Sequence, residues 1–152
     1  MAGWFKRNAE AIEAASALVT ALVAVAALVG VKLQIDASDR SQALQSARGA
    51  YLAQQALSVQ FPKFVEPEDA CALLASPEGA AYEAYVTHLI FTAEQTLAVQ
   101  SGWEPTFLEE LAPHAEFVCR NLATMNAGAE LQLLLDDFAA AHCPAVPACA
   151  AP

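Results

Sequence analysis

The side chains with the clearest capacity for chemistry gather near the end of the chain, in His142-Cys143-x5-Cys149. Imidazole and thiolate suit zinc or copper, and a fourth ligand could come from His114 or an acid. The spacing matches no known zinc finger, however. Cys143 and Cys149 equally fit a short disulfide with each other, or two idle thiols. Cys71 and Cys119 lie in apolar helical contexts, where a thiol packs as a small hydrophobe. Four cysteines are an even number, which suits an oxidising compartment without requiring one.

The remaining candidates are single residues. His88 sits on the side of its helix away from the apolar stripe, beside Gln95, and reads as a surface residue or a ligand contact. His114 follows Pro113 where a helix restarts, and reads as a capping or surface residue or a pH-sensitive hydrogen-bond partner. Glu94 falls in a crowded helix. A solvated Glu94 is the favoured reading; if buried it requires a cation, and Arg120 is the sole Lys or Arg in residues 64–152, so Glu94–Arg120 is a candidate pair. Tyr82, Tyr85 and Trp103 suit an aromatic hub or a pocket wall. Glu109 and Glu110 are adjacent on a helix and point about 100° apart, which does not make a catalytic dyad. There is no glycine-rich phosphate loop, no H-E-x-x-H, no C-x-x-C and no nucleophile elbow. No catalytic, cofactor-binding or metal site is therefore assigned, and a non-enzymatic role is expected.

The elements that would position these residues are helical. Residues 14–31 carry no charge, and at helical rise they span about 27 Å, close to the hydrocarbon thickness of a bilayer. Ile12, Leu33 and Ile35 extend the run, and its apolar residues lie all around the helix. A transmembrane helix over 11–33 is expected. Glu10 and Glu13 and the lack of a small-x-small site after the run argue against a cleaved signal. Ser16, Thr20 and Ala24 form a small-residue stripe that could pack against another helix. Lys6 and Arg7 precede the span and Lys32, Arg40 and Arg48 follow it, so the positive-inside count is almost balanced.

Charge divides the chain. Residues 1–63 hold six of the seven basic residues and four acids, whereas 64–152 hold thirteen acids and Arg120, a net of −12. Such an acidic part repels nucleic acid and anionic lipid. The high apolar content, 57%, excludes a disordered chain.

After the span the helical pattern continues. Asp36 and Arg40 make an i,i+4 pair; Leu44, Ala47 and Tyr51 lie on one side, with Leu52, Ala56 and Val59 beside them. This reads as a stalk over 34–60. Pro62 and Pro67 break it. Ser76-Pro77-Glu78 then starts the strongest helix, about 78–100, with the stripe Tyr82, Val86, Leu89, Ala93 and Leu97 and with Tyr85, Ile90 and Phe91 widening it. Phe107, Leu111, Val118 and Leu122 mark the next helix, which Pro113 should kink or split. Leu131, Leu134, Leu135 and Phe138 form the core face of a last helix, opposite Asp136 and Asp137. The expected fold is all-α: a tail over 1–10, the span, the stalk, an acidic four- to five-helix bundle over 61–142, and a Pro/Ala/Cys tail over 143–152.

The segments SARGAYLAQQALSVQFPKFVEPED and YEAYVTHLIFTAEQTLAVQSGWEPTFLEELAPHAEFV resemble a loose class of uncharacterised bacterial membrane proteins. These have one N-terminal span, a helical stalk and a C-terminal helical domain of unknown function. The correspondence runs through Tyr51, Pro62, Tyr82, Glu94, Trp103 and His114. The resemblance implies no activity. In that class the stalk is more basic and reads as cytoplasmic, whereas Asp36 and Asp39 depart from that pattern here.

Together these features point to a single-pass protein of the bacterial inner membrane whose acidic bundle faces the cytoplasm by a narrow margin, with the periplasmic side left open. Its expected partners are the bilayer and a protein partner or second copy, with no nucleic acid and no cofactor. The alternative is a tethered domain that senses a ligand or metal through the His/Cys set or an aromatic pocket.

Overall fold

The computed structural model describes residues 9–146 and Cys149. The segment through Asn8, with Lys6 and Arg7, and positions 147, 148 and 150–152 of the Pro/Ala/Cys tail lie outside the described residues. All regular structure among the described residues is helical, without strands. The chain divides into two compact units, residues 1–41 and 42–152.

The first helix, α1, runs Ala9–Gln60 and contributes to both units. Good helix formers fill it, and no proline occurs before Pro62. In the first unit it is long and apolar enough to cross a membrane: its most apolar window has a mean hydropathy of 2.2, and none of that window is buried. Leu22, Leu28, Val31 and Leu33 are each more than half exposed. Ser16 and Thr20 do not leave their hydroxyls bare, since each donates to a carbonyl one turn back, at 2.8 Å.

The second unit starts at Gln42, inside the segment expected to be a free stalk. The last part of α1 belongs to the bundle: Ala47 and Gln54 are buried, and Tyr51 and Leu57 pack on the core. The buried face is 47–51–54–58, whereas Leu52 and Val59, grouped with it by sequence, are 69% and 83% exposed.

Short α2 (Pro62–Val65) and α3 (Ala70–Leu74) follow. Asp69 caps α3 by accepting from the Ala72 amide at 2.8 Å. The turn at Ser76–Glu78 then leads into α4 (Gly79–Leu97), where Glu78 occupies the cap position expected for Ser76. Ser76 instead accepts from the Glu78 amide and donates to the Leu73 carbonyl, bracing the turn. Gly79 is required by close approach: a Cβ there would lie 2.3 Å from the Leu74 carbonyl oxygen. The whole expected stripe of α4 is buried, from Tyr82 and Val86 at 0% exposure to Leu97 at 7%.

Pro113 splits the next helix as expected. It gives α5 (Glu104–Leu111), a 3-10 turn over Ala112–His114, and α6 (Ala115–Asn121). A further 3-10 turn (Leu122–Thr124) leads to α7 (Ala129–His142), which buries Leu131, Leu134, Leu135 and Phe138. The core forms where these faces meet α4, with Phe107, Leu111, Val118 and Phe138 fully enclosed.

Two disulfides tie the unit together, Cys71–Cys149 and Cys119–Cys143. They correct the expectation of a Cys143–Cys149 bridge or idle tail thiols, and of Cys71 and Cys119 as core thiols. The end of α7 brings Cys143 over α6, and the tail carries Cys149 to α3. Each tail cysteine therefore meets a helix cysteine distant in sequence.

Candidate functional site

A cleft of about 360 Å³ opens in the second unit between the last turns of α1, the end of α2, α4 and α5. Helical spacing builds its walls. Gln54 and Ser58 stand one turn apart on α1, Tyr85 and Leu89 one turn apart on α4, and Thr106, Glu109 and Glu110 share a face of α5. Val65, Glu66, Pro113, His114 and Gln55 complete the lining.

A chain of polar contacts links these walls. Gln54 is 1% exposed, and its Oε1 lies 2.8 Å from His88 Nδ1. With His88 Nδ1–H donating to that oxygen, the Gln54 amide nitrogen Nε2 is left without a partner. Reversing the amide would only move the orphan to the oxygen, so one end of this buried group is unsatisfied either way. The Ser58 and Tyr85 hydroxyls bond one another at 2.8 Å. Tyr51 donates its hydroxyl to Glu110 Oε1 at 3.2 Å, while Glu110 Oε2 is buried and unpartnered.

Burial dominates the electrostatics. It pushes the Glu110 carboxyl above its ordinary range; the Tyr51 hydrogen bond opposes this and the neighbouring Glu109 adds to it. Tyr51 is raised in turn, by burial first and then by Glu110. His114 is 1% exposed, and burial lowers it to about 4, so the ring is neutral near pH 7. The Tyr82 hydroxyl lies 2.9 Å from His114 Nδ1, and burial holds Tyr82 well above the usual phenol range, so it stays protonated. With that hydroxyl donating, the imidazole proton sits on Nε2.

The residues singled out from sequence fall into place unevenly. His114 is buried, which corrects the surface reading; it stands at the cap position just before α6, but its side chain makes no cap. His88 is half-buried and bonded to Gln54 rather than a plain surface residue. Glu94 does not meet Arg120. It accepts from the Gly128 amide at 2.9 Å, while Arg120 lies 3.5 Å from Glu83. Tyr85 lines the cleft, whereas Trp103 stacks edge-on with Tyr51 as part of an aromatic cluster with Phe107. Cys143 and Cys149 are consumed by disulfides and cannot supply thiolates, and His142 stacks on Phe138. Among the described residues no group of three His, Cys, Asp or Glu side chains is arranged to hold a metal ion.

Sequence reasoning passed over Gln54 and Ser58, and took up Glu110 only with Glu109, as a pair that does not make a dyad. Gln54 and Ser58 left one trace, polar residues at i,i+4 on a face that also carries Ala47 and Tyr51. Only the packing of α5 against α1 gives Glu110 its role. No protein-family model matches the chain, and no curated protein or solved structure matches it.

Proposed function

We propose that this chain is a membrane-tethered, non-enzymatic docking or accessory protein whose disulfide-bonded acidic unit lies on the oxidising side of the membrane. The observation that carries the tether is the uncovered apolar surface of α1. Leu18, Val19, Leu22, Val23, Val25 and Leu28 are each about 60–70% exposed, and together with Val31 at 52% they occupy every side of one helix. A water-soluble protein rarely exposes so large a contiguous apolar surface, and a bilayer would cover it.

The two disulfides support the choice of side, because such crosslinks persist in oxidising compartments and are rare in reducing ones. This displaces the cytoplasmic side favoured by the count of Lys32, Arg40 and Arg48. That count was narrow, and Lys32 is paired with Asp36 at 3.2 Å. The acidity of residues 64–152 suits docking onto a basic protein surface and disfavours contact with anionic lipid.

The test has two parts. The full chain should stay with vesicles through alkaline carbonate washing, and a C-terminal reporter should be active only when exported. Release by carbonate, or a reporter active only in the cytoplasm, would overturn the tether or the side respectively. Co-purification in mild detergent should recover a basic protein partner or a second copy, and a monomer alone would count against docking. The polar cleft favours a second reading, a tethered ligand-binding domain.

A further inference from the structure

We propose that the cleft between α1, α4 and α5 binds a small organic amine in its protonated form, with a hydroxyl at its other end. This goes beyond the docking role and does not depend on the tether. The cleft volume, about 360 Å³, falls at the lower end of sites for small molecules and far exceeds a bare ion.

Charge selects the class. Glu66, Glu109 and Glu110 line the cleft, and no Lys or Arg does. Glu110 is half-buried, with one oxygen held by Tyr51 and the other unpartnered. A carboxylate in that position gains from a cation that donates to it, and the protein supplies none. An anion would meet three carboxylates and no counter-charge.

The second observation is independent of the acids. Gln54 is almost wholly buried on the cleft wall, and one end of its amide has no partner whichever way the group is turned. Buried amides are almost always paired in folded proteins, so this one calls for a partner from outside the chain, and a hydroxyl, which both donates and accepts, serves either end. Ser58 and Tyr85 satisfy each other and leave the unmet demand at two points, one acidic and one amide. Val65, Leu89 and Pro113 give the remaining wall an apolar character suited to a short hydrocarbon segment. An amino alcohol matches all three: ammonium to Glu110, hydroxyl to Gln54, methylenes against the apolar wall.

The experiment is titration calorimetry on the full chain in detergent micelles with three probes of one length: aminopentanol, pentanediol and hydroxypentanoate. Aminopentanol should bind with a Kd below about 10 mM, at least about tenfold tighter than pentanediol, and hydroxypentanoate should not bind. Glu110→Gln should weaken aminopentanol about tenfold by removing the charge while keeping the shape. Thr106→Phe, which fills the cleft from α5, should abolish binding. Thermal melts of both variants confirm that the bundle is folded. If either variant fails to fold, the ranking of the three probes on the unaltered chain decides. Equal affinity for aminopentanol and pentanediol would overturn the proposal. So would no binding of aminopentanol up to that concentration, or full affinity in a folded Glu110→Gln variant. A cleft that holds only solvent gives the second of these results.

Discussion

Replacing the Cys119–Cys143 crosslink by Cys119→Ala/Cys143→Ala tests how far this bundle relies on covalent ties. The bridge closes a segment with a sequence separation of 24, while Cys71–Cys149 closes one of 78 around it. On the chain-entropy account, the shorter loop is worth about 3.5 kcal/mol and the longer about 4.5 kcal/mol, each taken alone. The first figure is an upper value while the outer bridge remains, because that bridge already restricts the unfolded chain. Alanine keeps the half-buried Cys119 site apolar and adds no unsatisfied hydroxyl. At about 4 °C per kcal/mol for a unit of this size, the melting temperature should fall by up to about 14 °C. The assay is thermal unfolding followed by near-ultraviolet circular dichroism, on the full chain in mild detergent. That signal reports tertiary packing of the bundle and is insensitive to a micelle-bound helix that stays helical. Thiol titration of the unaltered protein under denaturing conditions should find no free cysteine. Four free thiols in protein recovered from an oxidising compartment would refute the pairing. A shift under about 3 °C in the double variant would refute the energetic reasoning.

Three further outcomes follow from the packing. His114 is held near 4 by burial, below its unfolded value of 6.5, so the unfolded state binds the extra proton first as pH falls. The stability present above about pH 6.5 should be lost progressively down to about pH 4, by about 3 kcal/mol, and a His114→Gln variant should show a flatter acid limb in chemical denaturation. Gly79→Ala places a methyl group against the Leu74 carbonyl and should cost about 1–3 kcal/mol as the α3–α4 turn shifts, read as a lowered denaturation midpoint. Phe138→Ala, at a fully buried site, should cost about 3–5 kcal/mol, whereas Val59→Ala at 83% exposure should change stability by less than about 0.5 kcal/mol.

The amino-acid sequence by itself determined the helical class, the apolar run of α1, the split at Pro113 and the buried stripes of α4 and α7. Each follows from local rules: apolar spacing at 3.6 residues, proline without an amide proton, and a charge-free stretch of bilayer length. The tertiary structure alone decided which cysteines pair, that His114 is buried against Tyr82, and that α1 from Gln42 onward is a bundle helix rather than a stalk. It also made Gln54 and Glu110 walls of one cleft. These are meetings between residues 24 to 78 positions apart, and helical periodicity fixes only which face a residue occupies, not which other helix that face will meet. The same limit explains Glu94: its helix and its exposure could be anticipated, but whether Arg120 or the Gly128 amide lay opposite depended on how α4 and the start of α7 came together.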